Sequence, residues 1–572
     1  MTTFRPQANE TIYCDICIVG SGAAGITIAC ELAGSGIDVI LLEAGGAKYE
    51  AAEHALLSGE VAEGSMHTPP DMYRRRMLGG ATTIWGGRCV PLSPIDLEYR
   101  DYVPNSGWPI SWDELERYYP AAQCYCEAGR YAYDAAEGIG ATAPPTISEF
   151  THPDVLTNEI ERFSLPTNFG KAYQTRLESA DNIRILLHTR AVRFHEEGRT
   201  IAFLEAEGAG RQRFTVHARH YVLAVGGLET PRLLMNSDDT RRGGIGNEGG
   251  ALGRYYMCHI ENTLGTLRLR PANRPVAFDI GRASDGVYVC RRLTISAAAQ
   301  RREKLLNTMA RPDHPVINDP RHGDGILSAM YLVKGTVIPE YRRKLAGIEL
   351  AYQEMIARDH RFWAAHVANV LRDAIPLTRF GIDWLRRRIL ARRKLPFVAY
   401  KSRNGTYSLD INAEQIPDPD NAVTLSSVQG SDGLRQLRVN WGLTEQDVDS
   451  LYRTMQLMAK AFAQSGCGTL DFDEVHQSDL LAAIRSSPPV GGHHIGTARM
   501  SDSALRGVVD RHCQVHGLDN LHIAGAAVFP TCGQANPTLT IVALSIRLAE
   551  RLMRLTREQP IVRHTVPREV TT

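Results

Sequence analysis

Short apolar runs separated by glycine-rich turns dominate the chain. Ile16-Cys17-Ile18-Val19 is one such run, and Val39-Ile40-Leu41-Leu42 is a second. A third, Tyr221-Val222-Leu223-Ala224-Val225, ends in Gly226-Gly227, and a fourth is Leu521-His522-Ile523-Ala524-Gly525. Continuous apolar runs of this length predict strands buried on both faces. Leu539, Val542, Ile546 and Ala549 recur at helical spacing and predict a helix with one buried face. Asn182–Leu187 and Gln436–Trp441 read as short strands, and Arg361 to Lys394 as a basic helical stretch interrupted by Pro376. Thr230-Pro231 predicts a helix start, with Thr as N-cap and Pro at the first position. Ser111 with Glu114 three residues later predicts a capping box. The βα-like segments lie near the start, near 222–234 and near 521–552, so a nucleotide domain built from distant pieces is expected.

The turn between the first two runs carries the chemistry. Gly20-Ser21-Gly22-Ala23-Ala24-Gly25 follows a strand and opens a helix, and the second strand ends in Glu43. In such a βαβ unit the first glycine permits the tight turn, the second admits a pyrophosphate to the backbone, and the third lets helix and strand pack closely. Unpaired N–H groups at the helix N-terminus face the phosphates. Glu43 is placed for a ribose hydroxyl and would repel a 2′-phosphate, which disfavours NADP. The turn alone does not separate FAD from NAD.

A second glycine-rich segment, Leu78-Gly79-Gly80-Ala81-Thr82-Thr83-Ile84-Trp85-Gly86-Gly87, lacks the lysine of a P-loop. Its glycines let backbone lie flat against a planar ligand. Near the C-terminus, His493-His494 sit in a glycine-flanked turn, Gly491 to Thr497. Asn536 reads as an N-cap and Pro537 as the first helical residue, ahead of Thr538. The positive end of that helix suits a group that becomes anionic on reduction. An imidazole in this setting can take a hydroxyl proton at neutral pH.

Composition narrows the partners. The 572 residues carry 64 acids and 64 Lys plus Arg, so net charge gives no drive toward nucleic acid. The first ten residues resemble neither a signal nor a transit peptide. The uncharged stretch Ile523 to Ile546 contains Pro530, Asn536 and Pro537, against a membrane span. Eleven scattered cysteines fit a reducing cytoplasm, with Cys14 and Cys17 read as ordinary thiols. Cys124 and Cys126 are too close for a usual zinc pair, and no metal site is expected. The densest basic stretch, 384–394, reads either as a solvated surface helix or as a docking helix for a membrane or partner.

At these residues the chain resembles the glucose–methanol–choline (GMC) flavoprotein oxidoreductases. The motifs run through the dinucleotide turn, 78–87, Gly226–Leu234, Glu414–Asp420 and His493–Ile541. The tail, His493 to Met500 with Ala535 to Thr540, most resembles the pyranose 2-oxidase branch, whereas 271–409 has no matching motif. The resemblance implies an α/β fold. A Rossmann-like FAD-binding domain (11–100, 190–265 and 490–560) would interleave with a substrate domain of mainly antiparallel sheet plus helices (101–189 and 266–489). It implies FAD held by Gly20, Gly22, Ala23, Ala24, Gly25, Glu43, Gly79, Gly80, Thr82, Thr83, Trp85, Gly86, Gly226, Gly525, Ala526, Pro537 and Thr538. His493 takes the catalytic position and Asn536 its partner's. Pyranose 2-oxidases carry an FAD-linking histidine where this chain has Ile84, so noncovalent FAD is expected. The helix after Pro231 also departs from the family's Ser-Gly, with Ser237-Asp238. The implied reaction oxidises an alcohol, sugar, glycoside or polyol hydroxyl by hydride transfer to flavin, with oxygen, a quinone or a redox protein as acceptor. An FAD-containing non-redox lyase or isomerase, an NAD-dependent dehydrogenase and a non-enzymatic docking protein are the alternatives.

Overall fold

The computed structural model describes residues 6–558 apart from 272–276, 279, 316, 338–358, 398–399, 401, 403–404, 473–476 and 487–491. The apolar runs form a seven-stranded sheet. Thr11–Val19 lies at its centre, parallel to Val39–Leu42 on one side and to Arg213–Leu223 on the other. The eleven-residue strand Arg213–Leu223 divides its edge. Its first residues pair with the antiparallel hairpin Arg190–Glu197/Thr200–Glu207, and its last with Leu521–Ile523, in parallel. Segments two and five hundred residues along the chain from the first strand thus sit side by side at the carboxyl edge, where nucleotides bind in such sheets.

Ile183–Leu186 extends this sheet as the parallel outer neighbour of Val39–Leu42. It falls in 101–189, the range expected for the substrate domain; four apolar-rich residues at a sheet's edge carry no mark of which sheet they join. The helices Ala23–Leu32 and Thr538–Glu558 pack against each other on the sheet. Leu539, Val542, Ile546 and Ala549 are all buried, as their spacing predicts.

The second layer is a six-stranded antiparallel sheet in the order Gly468–Asp471, Ile260–Leu269, Thr406–Ala413, Thr308–Asp313, Leu293–Ile295, Val155–Leu156. Period-2 alternation splits its faces. Leu409, Ile411 and Ala310 pack into a core with Met455, Met458 and Phe462 of the helix Glu445–Ser465. Ser408, Asp410, Arg311 and Asp313 line the cavity between the two layers. Over the cavity lie the helices Gly325–Val337, His360–Arg372 and Ala374–Trp384, followed by a π-helical turn, Leu385–Leu390.

Three local expectations are corrected. The helical stretch breaks at Asp373, not at Pro376, which falls in the first turn of Ala374–Trp384, where its missing N–H has no partner to lose. The helix expected to start at Thr230 spans Glu229–Asn236 with Leu228 as N-cap, so Thr230 and Pro231 lie inside its first turn. Ser111 does accept from the Glu114 N–H at 3.2 Å, but the Glu114 carboxylate turns to Arg547 and Arg511 rather than completing the box.

Candidate active site

A cavity of about 1830 Å³ runs between the two sheets. That exceeds the roughly 300–1,000 Å³ of a drug-sized site, and leaves room for a dinucleotide with a second molecule beside it. Its floor is the edge of the parallel sheet. Gly20 has φ +101, and a Cβ there would lie 2.6 Å from the Ala224 carbonyl oxygen. Gly25 packs so closely that a Cβ would lie 1.9 Å from the Gly20 oxygen. At Gly22, Gly86, Gly226 and Gly525 a Cβ would meet no atom within 4 Å; all four line the cavity. The two glycine segments clamp together, with Gly79 N–H donating to the Ser21 carbonyl at 3.0 Å. Bare backbone facing open space on several sides is a cradle that fits a dinucleotide's pyrophosphate and planar ring.

Of the expected cofactor residues, Gly20, Gly22, Ala23, Ala24, Glu43, Gly80, Thr82, Trp85, Gly86, Gly226, Gly525, Ala526, Pro537 and Thr538 line the cavity. Gly25, Gly79 and Thr83 do not; they shape the turns from behind. Thr83 donates to the Gly80 carbonyl at 2.9 Å, and Gly79 holds φ +95 against Asn168 and Gly170. Glu43 is buried and accepts from Ser21 N–H at 3.1 Å, Ser21 O–H at 2.6 Å and Gly45 N–H at 2.9 Å. The Trp85 indole N–H donates to the Thr167 carbonyl at 2.9 Å.

His493 and Asn536 meet at the far end of this cradle. The Asn536 amide donates to His493 Nε2 at 3.0 Å. Asn536 is not the N-cap: Ile541 N–H bonds the Pro537 carbonyl, so Pro537 takes the capping position and frees the Asn536 side chain. Gly491 lies outside the described residues. His494 turns away toward Tyr256 and His67, its backbone carbonyl packed against Gly227.

Two residues missed in the sequence complete the cluster. His259 Nδ1 lies 2.8 Å from His493 Nδ1, and the Glu261 carboxylate lies 3.5 Å from the same nitrogen. Burial, reinforced by His493, pushes the His259 imidazole down to about 3, so it is neutral. Its Nε2 faces the Cys532 carbonyl at 3.4 Å, which can only accept. His259 therefore carries its proton on Nε2 and offers a lone pair at Nδ1. His493 must then donate from Nδ1, which leaves the Nε2 lone pair facing Asn536 and the cavity. Glu261 favours a positive charge on that ring. These three residues each bring a ligand atom within 4.8 Å of the others, the one such group among the described residues. The Nδ1–Nδ1 separation is that of a shared proton. The signal in the sequence was His259-Ile260-Glu261, which puts His and Glu on one face of a strand, but nothing local said what that face meets.

Fold and cradle together define a dinucleotide-binding α/β protein with a histidine cluster at the end of its cradle. The chain matches the FAD dependent oxidoreductase model over residues 15–330 and the GMC oxidoreductase model over 417–545. It belongs to the GMC family of FAD-dependent oxidoreductases. It is 22% identical to 6'''-hydroxyparomomycin C oxidase of Streptomyces lividus, across 96% of this chain and 92% of that one. It is 21% identical to 2-methyl-1,2-propanediol dehydrogenase of Mycolicibacterium austroafricanum, across 97% and 96%. The crystal structure of pyridoxine 4-oxidase from Mesorbium loti shares the fold, with a TM-score of 0.51 and 17% identity over 94% and 99% of the two chains.

Proposed function

We propose that this enzyme oxidises a carbinol group, CH–OH to C=O, on a polyol, sugar or glycoside, with His493 as general base. The observation that carries this reading is the His259–His493–Asn536 chain, which fixes the base's lone pair on the nitrogen that faces the cavity. A donor hydroxyl entering between His493 Nε2 and the Asn536 amide gives its proton to Nε2 and accepts from the amide. His493 becomes an imidazolium that donates to His259 from Nδ1, with the Glu261 carboxylate 3.5 Å away offsetting its charge. Bound FAD supplies the hydride acceptor. The relatives named above support the donor class, one bearing the name of a hydroxylated compound and the other of a diol.

Gly20, Gly22 and Gly226 would hold the pyrophosphate, with the Ala23–Leu32 helix N-terminus toward it. Glu43 would take a ribose hydroxyl, since its two oxygens offer about four acceptor sites and three are used. The positive end of Thr538–Glu558 would favour an electron-rich isoalloxazine. We also propose that the cofactor is not covalently linked: Ile84, 37% exposed in the cavity wall, has no nucleophile. Acid precipitation should then leave the yellow colour in the supernatant.

Anaerobic mixing of the yellow holoenzyme with a panel of sugars, glycosides and diols tests the function. Bleaching by at least one carbinol, with the matching carbonyl as product, supports it. Conversion of a donor with no bleaching would overturn it in favour of a non-redox lyase or isomerase.

A further inference from the structure

The helical cover of the cavity presents an unusual outer surface. Trp363, Val367 and Leu371 follow one another at four-residue steps on His360–Arg372, and Ile375 and Ile382 lie seven residues apart on Ala374–Trp384. Each is between 42% and 72% exposed. Residues at these spacings share a helix face, so each of the two helices carries an apolar stripe, one on either side of the break at Asp373. Arg379 and Arg386 stand four positions beyond Ile375 and Ile382 and form a short arginine row beside the second stripe. Neither Arg379 nor Arg386 forms an ion pair with a described residue. From Arg361 to Lys394 nine Lys and Arg accompany two acids, Asp373 and Asp383; Asp373 is buried at the helix junction and Asp383 pairs with Arg387 at 3.2 Å.

We propose that this face docks on an anionic phospholipid bilayer, with the stripes at the level of the acyl boundary and the arginine row among the headgroups. Two observations point to a lipid surface rather than a protein. The exposed anchors are chiefly aliphatic and spread over two successive helices, whereas protein hot spots are compact clusters of aromatic residues and Arg set in pockets. The arginine row borders the second stripe, as in helices that lie in the membrane interface. The inner side of Ala374–Trp384, through Leu377, Phe380 and Trp384, lines the active-site cavity. Docking would therefore lay the cavity's roof on the membrane and give lipid-dissolved molecules a short path to it. This goes beyond the proposed reaction and does not depend on which donor is oxidised.

The test is co-sedimentation of the full-length holoenzyme with vesicles of phosphatidylcholine alone and of phosphatidylcholine with phosphatidylserine. Binding is expected to the phosphatidylserine vesicles and to weaken as salt rises. The double variant Arg379→Gln/Arg386→Gln should lose roughly twentyfold in partitioning, at about fivefold per cation. Ile375→Asp with Ile382→Asp should abolish it even at low salt. Both variants alter exposed residues outside the proposed catalytic group and should keep solution activity and colour. No binding to phosphatidylserine vesicles, or arginine variants that bind like the parent, would overturn the proposal. So would a concentration-dependent dimer that Ile375→Asp dissociates, which would assign the stripes to a second copy of the chain.

Discussion

Replacing His493 by alanine removes the one group whose lone pair the surrounding hydrogen bonds aim into the cavity. General-base catalysis contributes about 10²–10⁴ in rate, or about 2.7–5.4 kcal/mol at 1.36 kcal/mol per tenfold. Asn536→Ala removes one neutral hydrogen bond to the same hydroxyl, worth about 0.5–1.5 kcal/mol, so its loss should be about threefold to tenfold. The assay is the rate at which donor bleaches the yellow enzyme on anaerobic mixing, which isolates the oxidation of the donor from any later reoxidation. His493 sits away from Gly20–Gly25, so His493→Ala should purify as yellow as the parent. The expected order is parent, then Asn536→Ala, then His493→Ala far below both. A yellow His493→Ala enzyme that bleaches at the parental rate would refute the assignment of the base. Equal losses in the two variants would refute the separation of roles.

Gly25→Ala should yield colourless or insoluble protein, since its Cβ would overlap the Gly20 carbonyl oxygen at 1.9 Å; the absorbance of purified material reads this directly. Arg100 and Glu414 form a two-pronged pair that is almost fully buried, with Glu414 also accepting from Asn307 N–H at 3.0 Å. Arg100→Met should cost about 3–5 kcal/mol in a denaturant melt, and Arg100→Met/Glu414→Met should recover most of it. His259 is held neutral down to about pH 3, whereas its unfolded imidazole protonates near 6.5. The unfolded chain thus binds more protons across that window, so this contribution is complete above about pH 6.5 and is lost as pH falls toward 3. Urea midpoints taken across that range should fall more steeply for the parent than for His259→Gln.

The residues that could be read in the sequence are those whose neighbours in the chain are also their neighbours in space. The dinucleotide turn is one, because strand, glycines, helix and acid all lie between Thr11 and Glu43. The buried face of Thr538–Glu558 is another. His493 and Asn536 were marked by glycine and proline punctuation rather than by each other. Their 3.0 Å contact brings together positions forty-three residues apart. His259 and Glu261 carried no such mark. They stand at the start of an alternating strand whose polar face could equally have met solvent, and only the pairing of the two layers shows that it meets His493. Pro231 and Pro376 misled for a shared reason. Proline fixes that a helix has recently begun, but it is tolerated anywhere in the first turn, so the boundary read from it slips by a residue or two.

The proposed reacting group therefore belongs to neither layer alone. His493 and Asn536 come from segments that serve the parallel sheet, and His259 and Glu261 from the start of the second strand of the antiparallel one. The 2.8 Å link between His259 and His493 is thus a contact between the two layers. The cradle offers backbone to a cofactor and has little scope to choose a donor. The opposite wall is different. It sets Asp410 and Arg311, paired with each other, beside Ser408, under an apolar roof of Leu377, Phe380 and Trp384. A donor with hydroxyls on one face and C–H groups on the other satisfies both surfaces, whereas a simple aliphatic alcohol leaves that pair facing nothing polar. Selection among donors should accordingly respond to Leu377 and Phe380 without loss of colour, while changes at His259 should alter the rate for every donor by a similar factor.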